Sequence, residues 1–89
     1  MSQQSNVRTA GATYELTMSA LTVALDTFAK ATGHEADRQA QVVRALVNAF
    51  AAADVAFRHY LSLDQANNVY TNRSKPVIDR YQRLGFRQT

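Results

Sequence analysis

Between Arg38 and Leu63 the chain has a long stretch without glycine or proline that is apolar on two sides when drawn as a helix. Its apolar residues form two rows, one spaced 4-3-4-3 and the other 3-4-3-4. Both spacings place side chains on one side of an α-helix. The rows consist of Leu46, Phe50, Ala53, Phe57 and Tyr60, and of Val42, Ala45, Ala49, Ala52 and Ala56. A helix with two apolar sides needs partners on both, which predicts self-assembly or docking onto another protein.

The size of the chain strengthens this prediction. A chain of 89 residues makes one domain, and a domain of this size hides only about 60–65% of its unfolded surface. With 46% hydrophobic and 19% charged residues, the chain is too apolar to be wholly disordered. It has no cysteine, which excludes a disulfide framework and thiolate metal sites.

The sequence predicts no membrane span, because charged and polar residues interrupt the most apolar segment before it reaches roughly 18 residues. Residues 1–11 are polar and lack the apolar stretch of a secretory signal. We therefore expect a cytoplasmic protein, although a leaderless export route would leave no trace in the sequence.

The pattern of apolar residues predicts an all-α fold, an antiparallel hairpin of two long helices with a short C-terminal third helix. Residues 1–11 are predicted to be a mobile polar arm, and residues 12–89 a single helical domain with helices at about 12–31, 35–66 and 75–84. The seam of the first helix consists of Tyr14, Met18, Leu21, Leu25 and Phe28. Thr13 is well placed to cap the start of this helix.

The predicted helix boundaries depend on a few residues with known end preferences. Gly33 fits the end of the first helix, and Thr32 with Glu35 fits a capping box for the second. The asparagines at 67, 68 and 72 predict a weak connection before the third helix. Pro76 fits the first turn of that helix, and Gly85 fits its end, with Phe86 folding back onto its last turn.

The second predicted helix, at roughly 40 Å, is longer than the first, at roughly 30 Å. Its far end, Phe57, Tyr60 and Leu61, is therefore expected to need the tail or another chain as cover. The predicted interface of a homo-oligomer, or of a complex with another protein, consists of Val42, Ala45, Ala49, Ala52, Ala56, Phe57, Tyr60 and Leu61. The alternative is that the alanines are good helix formers on a half-exposed side.

Basic residues are concentrated at the C-terminus. Residues 70–89 carry five cations against one acid, a balance of +4, whereas residues 1–69 carry five cations against six acids, a balance of −1. The cations are Arg73, Lys75, Arg80, Arg83 and Arg87. Such a stripe is a second candidate site, for the phosphates of a nucleic acid or another phosphorylated ligand, or for an acidic protein partner. The alternative is a solvated helix face.

Two polar groups in the helices have competing interpretations. Asp54 lies on an otherwise apolar helix with Arg58 at i+4, which predicts either a buried polar pin or a solvated strip. His34, Glu35 and Asp37 lie at the hairpin turn without the second histidine of a zinc-binding helix. Helix capping explains that cluster, so we predict no metal and no cofactor. With no glycine-rich phosphate loop and no nucleophile motif, we also predict no catalytic residues and no enzyme.

Two short segments resemble known families. Residues 21–30, LTVALDTFAK, resemble the first helix of some type III secretion needle subunits, although the Pro-x-Asn-Pro turn of that family is absent. The resemblance implies a helical hairpin stacked into a hollow filament. Residues 72–86 are similar to the Asn-to-Gly-Phe stretch near the end of N-acetyltransferase-superfamily domains. Because the chain lacks that family's acetyl-CoA loop, this second resemblance implies no activity.

The sequence as a whole predicts a small non-enzymatic assembly protein that associates through helix packing. A bacterial or phage accessory protein or a filament subunit fits this description. Binding of nucleic acid or of a phosphorylated ligand by the basic tail is the alternative function.

Overall fold

The computed structural model describes residues 3–86, and every regular element in this part of the chain is helical. The elements are α1 (Gln3–Lys30), α2 (Gly33–His59), α3 (Leu63–Val69), a π-helical turn (Tyr70–Ser74) and α4 (Lys75–Arg83). Because α3, the π-helical turn and α4 follow one another without a break, residues 63–86 are called the C-terminal arm. The predicted fold class, two long antiparallel helices with a short C-terminal helix, is confirmed.

The arm lies against the hairpin and runs in the same direction as α1. Arg73 pairs with Glu15, and Arg80 pairs with Asp26. Arg80 lies after Arg73 along the arm, and Asp26 lies after Glu15 along α1. The three helical units therefore run up, down and up, and the molecule measures 48 × 24 × 20 Å. A 28-residue helix such as α1 accounts for most of the long dimension.

The core is formed by all three units. Both predicted seams face inward, with Tyr14, Leu21 and Leu25 of α1 and Phe50 of α2 completely buried. The arm adds Tyr81 and Phe86, which are 3% and 5% exposed. The other buried apolar residues are Ala24, Val43, Val47 and Ala53. The ring of Phe86 stacks on Tyr81 at a centroid distance of 4.8 Å, so the predicted fold-back of Phe86 is present.

The predicted polar arm at residues 1–11 is wrong from Gln3 onward, because α1 begins there. Val7 and Ala10 are half-buried and extend the seam of Tyr14 by two turns at helical spacing. Gly11 completes the contact, since a Cβ atom at this position would lie 3.2 Å from Cε1 of Phe57. The predicted helix start at residue 12, with Thr13 as its cap, is therefore also wrong.

The break between the second and third helical units is also misplaced in the prediction. Helix α2 ends at His59 rather than near residue 66, and the chain bends at Tyr60–Ser62. Ser62 and Gln65 form a capping box, in which the Ser62 hydroxyl accepts from the Gln65 N–H at 3.2 Å. The Ser-x-x-Gln spacing was visible in the sequence and is the signal that marks this start.

The predicted connection at residues 67–72 is helical instead. Asn68 accepts a hydrogen bond from Asn72 at 2.7 Å along the exposed side, so these asparagines do not interrupt the arm. Pro76 lies in the first turn of α4, as predicted, but α4 is not a separate helix, because the arm is already helical for thirteen residues before Pro76. The π-helical turn precedes it, with the Lys75 N–H donating to the carbonyl of Tyr70. The wider turn relieves the clash of a proline ring with the preceding helical carbonyl.

The turn between α1 and α2 follows the prediction in part. Gly33 has φ +58°, the left-handed conformation on which the prediction depends, but it is the first residue of α2, and α1 already ends at Lys30. Thr32 is extended, but its side chain makes no capping hydrogen bond, so the predicted capping box with Glu35 is wrong. Gly85 at the end of α4 has φ +101°, and its predicted role as a helix stop is confirmed.

Candidate interaction surfaces

The predicted alanine row lies on the surface of the molecule. Each of its members, Val42, Ala45, Ala49, Ala52 and Ala56, is exposed, with Val42 at 43%. The arm does not cover this row, because it approaches α2 from another side, through Asp54 and Arg58. Positions 42 and 54 are about 120° apart around the helix at 3.6 residues per turn.

Beside the alanine row, α1 and α2 form an open groove. Its lining consists of Ser19, Ala20, Val23, Ala24 and Thr27 from α1, and Gln39, Val42 and Leu46 from α2. None of these side chains is charged, and Val23 is 63% exposed. The groove and the alanine row together are called the open face. In helical bundles, an apolar surface between two antiparallel helices is where another helix packs.

The far end of α2 is better covered than the sequence predicts. Phe57 is half-buried and lies 5.2 Å from the ring of Tyr14, centroid to centroid. Tyr60 and Leu61 are also half-buried. The expectation that only the tail or another chain could cover Phe57 is wrong, because α1 extends to Gln3 and reaches this end itself.

The basic residues of the arm are mostly paired inside the chain. Arg73 donates to Glu15 at 2.8 Å, Arg80 pairs with Asp26, and Lys75 donates to Asp79 at 3.2 Å. Arg83 is exposed, and Arg87 lies outside the described residues. A phosphate would have to displace carboxylates from Arg73 and Arg80, so the structure does not bring the predicted cations together as an open anion site.

A buried polar network joins the three helical units. Ser74, which is 0% exposed, lies 2.7 Å from the Tyr14 hydroxyl and 2.7 Å from Oδ1 of Asp54. Arg58 donates to both carboxylate oxygens of Asp54, at 3.1 and 2.7 Å. Because a carboxylate only accepts hydrogen bonds, Ser74 donates to Asp54, and Tyr14 therefore donates to Ser74.

This network decides between the two interpretations of Asp54. The residue is 4% exposed and is a buried pin, not part of a solvated strip. The sequence indicated Arg58 as its partner but gave no sign of the other two residues. Ser74 lies 20 residues from Asp54 along the chain, and Tyr14 lies 60 residues from Ser74. Among the described side chains, no buried nitrogen or oxygen lacks a hydrogen-bond partner.

The surroundings of the network shift two of its pKa values. Burial raises the pKa of Tyr14 above 10.0, because the phenolate would lose its hydration. The hydrogen bonds to Asp54 raise the pKa of Arg58. Its guanidinium also lies 5.0 Å from the ring centroid of Tyr70, which adds a cation–π contact from the arm. These features stabilise a closed structural site, since Tyr14, Asp54 and Ser74 are all turned away from solvent.

No group of three or more His, Cys, Asp or Glu side chains among the described residues is arranged to hold a metal ion. His34 and Glu35 at the hairpin turn are exposed, and Glu35 accepts a hydrogen bond from Gln39 at 3.3 Å. The absence of a cofactor and of catalysis stays a prediction from the sequence.

Helix α2 is long and apolar enough to cross a membrane by length and composition. The core helix of a globular domain meets the same criterion, and α2 buries Val43, Val47 and Phe50 inside this fold. The expectation of no membrane span therefore also stays a prediction.

Comparison with known proteins adds no relative. No family model, curated protein or solved structure matches this chain. The resemblances of residues 21–30 and 72–86 to larger families are therefore left as sequence-based expectations.

Proposed function

We propose that this protein is a non-enzymatic assembly module that self-associates by packing its open face against the open face of a second copy. The observation that carries this proposal is the position of the alanine row. After the arm has covered one side of the hairpin, the second apolar side of α2 is still exposed, and it continues across the groove to Val23 of α1.

The composition of the open face favours a second copy as the partner. Alanines let two helix backbones approach closely, and Val23 and Val42 supply the larger apolar side chains. The groove lining carries no charge, so a two-fold arrangement, in which each residue of the patch meets the same patch, brings no like charges together. A partner with a strongly charged surface would gain nothing from such a lining.

Two glutamates on the open face test this proposal. Val42→Glu with Ala49→Glu places two charges one heptad apart on the face, where they would be desolvated in the assembly. We expect the double variant to sediment as a monomer at concentrations at which the natural chain forms larger species. Circular dichroism checks that the fold is kept, since both positions are exposed.

The matched control places the same two charges on the C-terminal arm, which lies on the side of the hairpin away from the open face. Asn67→Glu with Gln82→Glu substitutes two exposed positions of that arm. We expect this control to retain the mass of the natural protein. A natural chain that is monomeric throughout a dilution series, or a Val42/Ala49 variant with unchanged mass, would contradict the proposal.

A further inference from the structure

The joint between α2 and the C-terminal arm is bent, although no residue in it requires a bend. Tyr60 keeps right-handed helical torsions, with φ −88° and ψ −2°, and Ser62 departs from them with ψ 163°. In the described part of the chain only Gly33 and Gly85 have positive φ, so the joint has no left-handed residue. From position 34 to position 75 there is neither glycine nor proline. A straight helix through the joint is therefore compatible with the sequence.

Two sets of contacts keep the joint bent. The first is local and exposed, the capping box in which Ser62 and Gln65 exchange hydrogen bonds of 3.2 and 3.1 Å. The second is the set of contacts by which the hairpin holds the arm, called here the seat of the arm. There Ser74 bonds to Tyr14 and Asp54, and Phe86 packs 4.9 Å from Phe28, centroid to centroid.

The seat of the arm is specific for the side chains that the arm carries. If the arm leaves, Asp54 and Tyr14 lose the hydroxyl that lies between them, and a buried polar group without a partner is costly. Glu15 and Asp26 lose the guanidinium groups opposite them. Any replacement must offer a hydroxyl and two cations at the spacing of Ser74, Arg73 and Arg80, next to two aromatic rings. The arm of a second copy meets this requirement in full.

We infer that the C-terminal arm is exchanged between two copies of this chain, with α2 and the arm straightened into one helix at Tyr60–Ser62. Each arm then occupies the seat of the partner, and the contacts of Arg73, Ser74, Arg80 and Phe86 with the hairpin are kept in a two-fold dimer. The exchange costs the capping box and gains helical hydrogen bonds across the joint. It uses the side of the hairpin away from the open face, so this inference and the proposed function can fail independently.

Cross-linking between two different chains tests the exchange, because the natural chain has no cysteine. One chain carries Glu15→Cys and the other Arg73→Cys, at positions that are half exposed and paired in the fold. The two chains are unfolded together, refolded at high concentration and treated with a short bis-maleimide. We expect a covalent heterodimer bridged between positions 15 and 73, identified by mass spectrometry. If that bridged peptide is absent at every concentration, the inference is overturned.

A proline at position 63 distinguishes arm exchange from face-to-face association. Leu63 is 78% exposed and is the first residue of α3, where proline is tolerated. Proline also favours an extended preceding residue, as Ser62 already is. In a straightened helix the same proline would clash with the carbonyl of His59. Leu63→Pro should therefore lower the yield of the bridged heterodimer at least about tenfold.

Two further variants complete the test. Leu63→Ala removes the same side chain without opposing a straight helix, and we expect it to keep the heterodimer yield of the natural joint. Ser62→Ala removes the cap that favours the bend, and we expect it to raise the yield. A yield that is the same for Leu63→Pro and Leu63→Ala would overturn straightening as the mechanism. The Val42→Glu with Ala49→Glu variant should leave the 15–73 bridge unchanged, since it alters only the open face.

Discussion

The hydroxyl of Ser74 shows how a small side chain can define the packing of three helices. It accepts from Tyr14 and donates to Asp54, and all three residues are at least 96% buried, as their exposures of 0%, 0% and 4% show. Arg58 completes the set by neutralising the carboxylate. A serine between two basic residues gives no sequence signal for this role, because its partners come from α1 and α2.

At the residue scale, the buried phenol of Tyr14 predicts a loss of stability in alkaline solution. Its pKa lies above 10.0, chiefly because of burial, so the folded chain holds this proton more tightly than the unfolded chain does. The stabilisation is complete below pH 10 and is lost as the pH rises through the raised value. Tyr14→Phe should be less stable near neutral pH and should lose less stability above pH 10.

The measurement is the free energy of unfolding in urea for both chains, from about pH 8 to about pH 11. Subtracting the two curves removes the contribution of the other titrating groups. Parallel curves above pH 10 would show that Tyr14 holds its proton no more tightly in the folded chain.

At the scale of elements, the sequence predicts what local periodicity and end preferences determine. The seams of α1 and α2, the turn at Gly33 and the stop at Gly85 follow from helical spacing and glycine conformation. The start of α1 could not be predicted in this way, because the polar residues before Gly11 are helical through packing of Val7 and Ala10 on the hairpin. The bend at Ser62 was predictable from its capping box. The prediction instead placed the break at residues 67–72, because it gave more weight to the asparagines there.

The end of α4 predicts a position where alanine is destabilising although alanine favours helices. Gly85 has φ +101°, which side chains with a Cβ atom rarely adopt, and nothing crowds its Cβ position within 4 Å. Gly85→Ala should therefore lower the free energy of unfolding through backbone strain alone, by about 1–3 kcal/mol. Thermal or urea denaturation measures the change.

The control for this element is Arg83→Ala, an exposed substitution within α4 itself. We expect it to change the free energy of unfolding by less than about 0.5 kcal/mol. Equal effects of Gly85→Ala and Arg83→Ala would mean that the left-handed turn is not required to seat Phe86 against Tyr81.

At the scale of the whole molecule, the hairpin has two apolar sides and the arm occupies one of them. Arg73 and Arg80 contact the carboxylates of α1, so the basic character that the sequence assigns to the C-terminus is largely neutralised inside the chain. The open face is left on the other side without charge in its groove. The arrangement separates a side that the arm covers from a side that stays exposed.

The polar network predicts that the arm opens more readily than the hairpin when one of its hydrogen bonds is removed. Ser74→Ala leaves the Tyr14 hydroxyl without its acceptor and removes one donor from Asp54. We expect the free energy of unfolding to fall by about 1–3 kcal/mol. Because α1 and α2 keep their own apolar contacts, the amides of residues 63–83 should lose more protection in hydrogen exchange than those of the hairpin core.

Thr71→Ala, at an exposed position of the same π-helical turn, is the matched control and should leave the free energy of unfolding and the hydrogen-exchange protection unchanged. Uniform loss of protection across all helices in Ser74→Ala would show instead that the arm and the hairpin open only together, which would also leave arm exchange without a route except through complete unfolding.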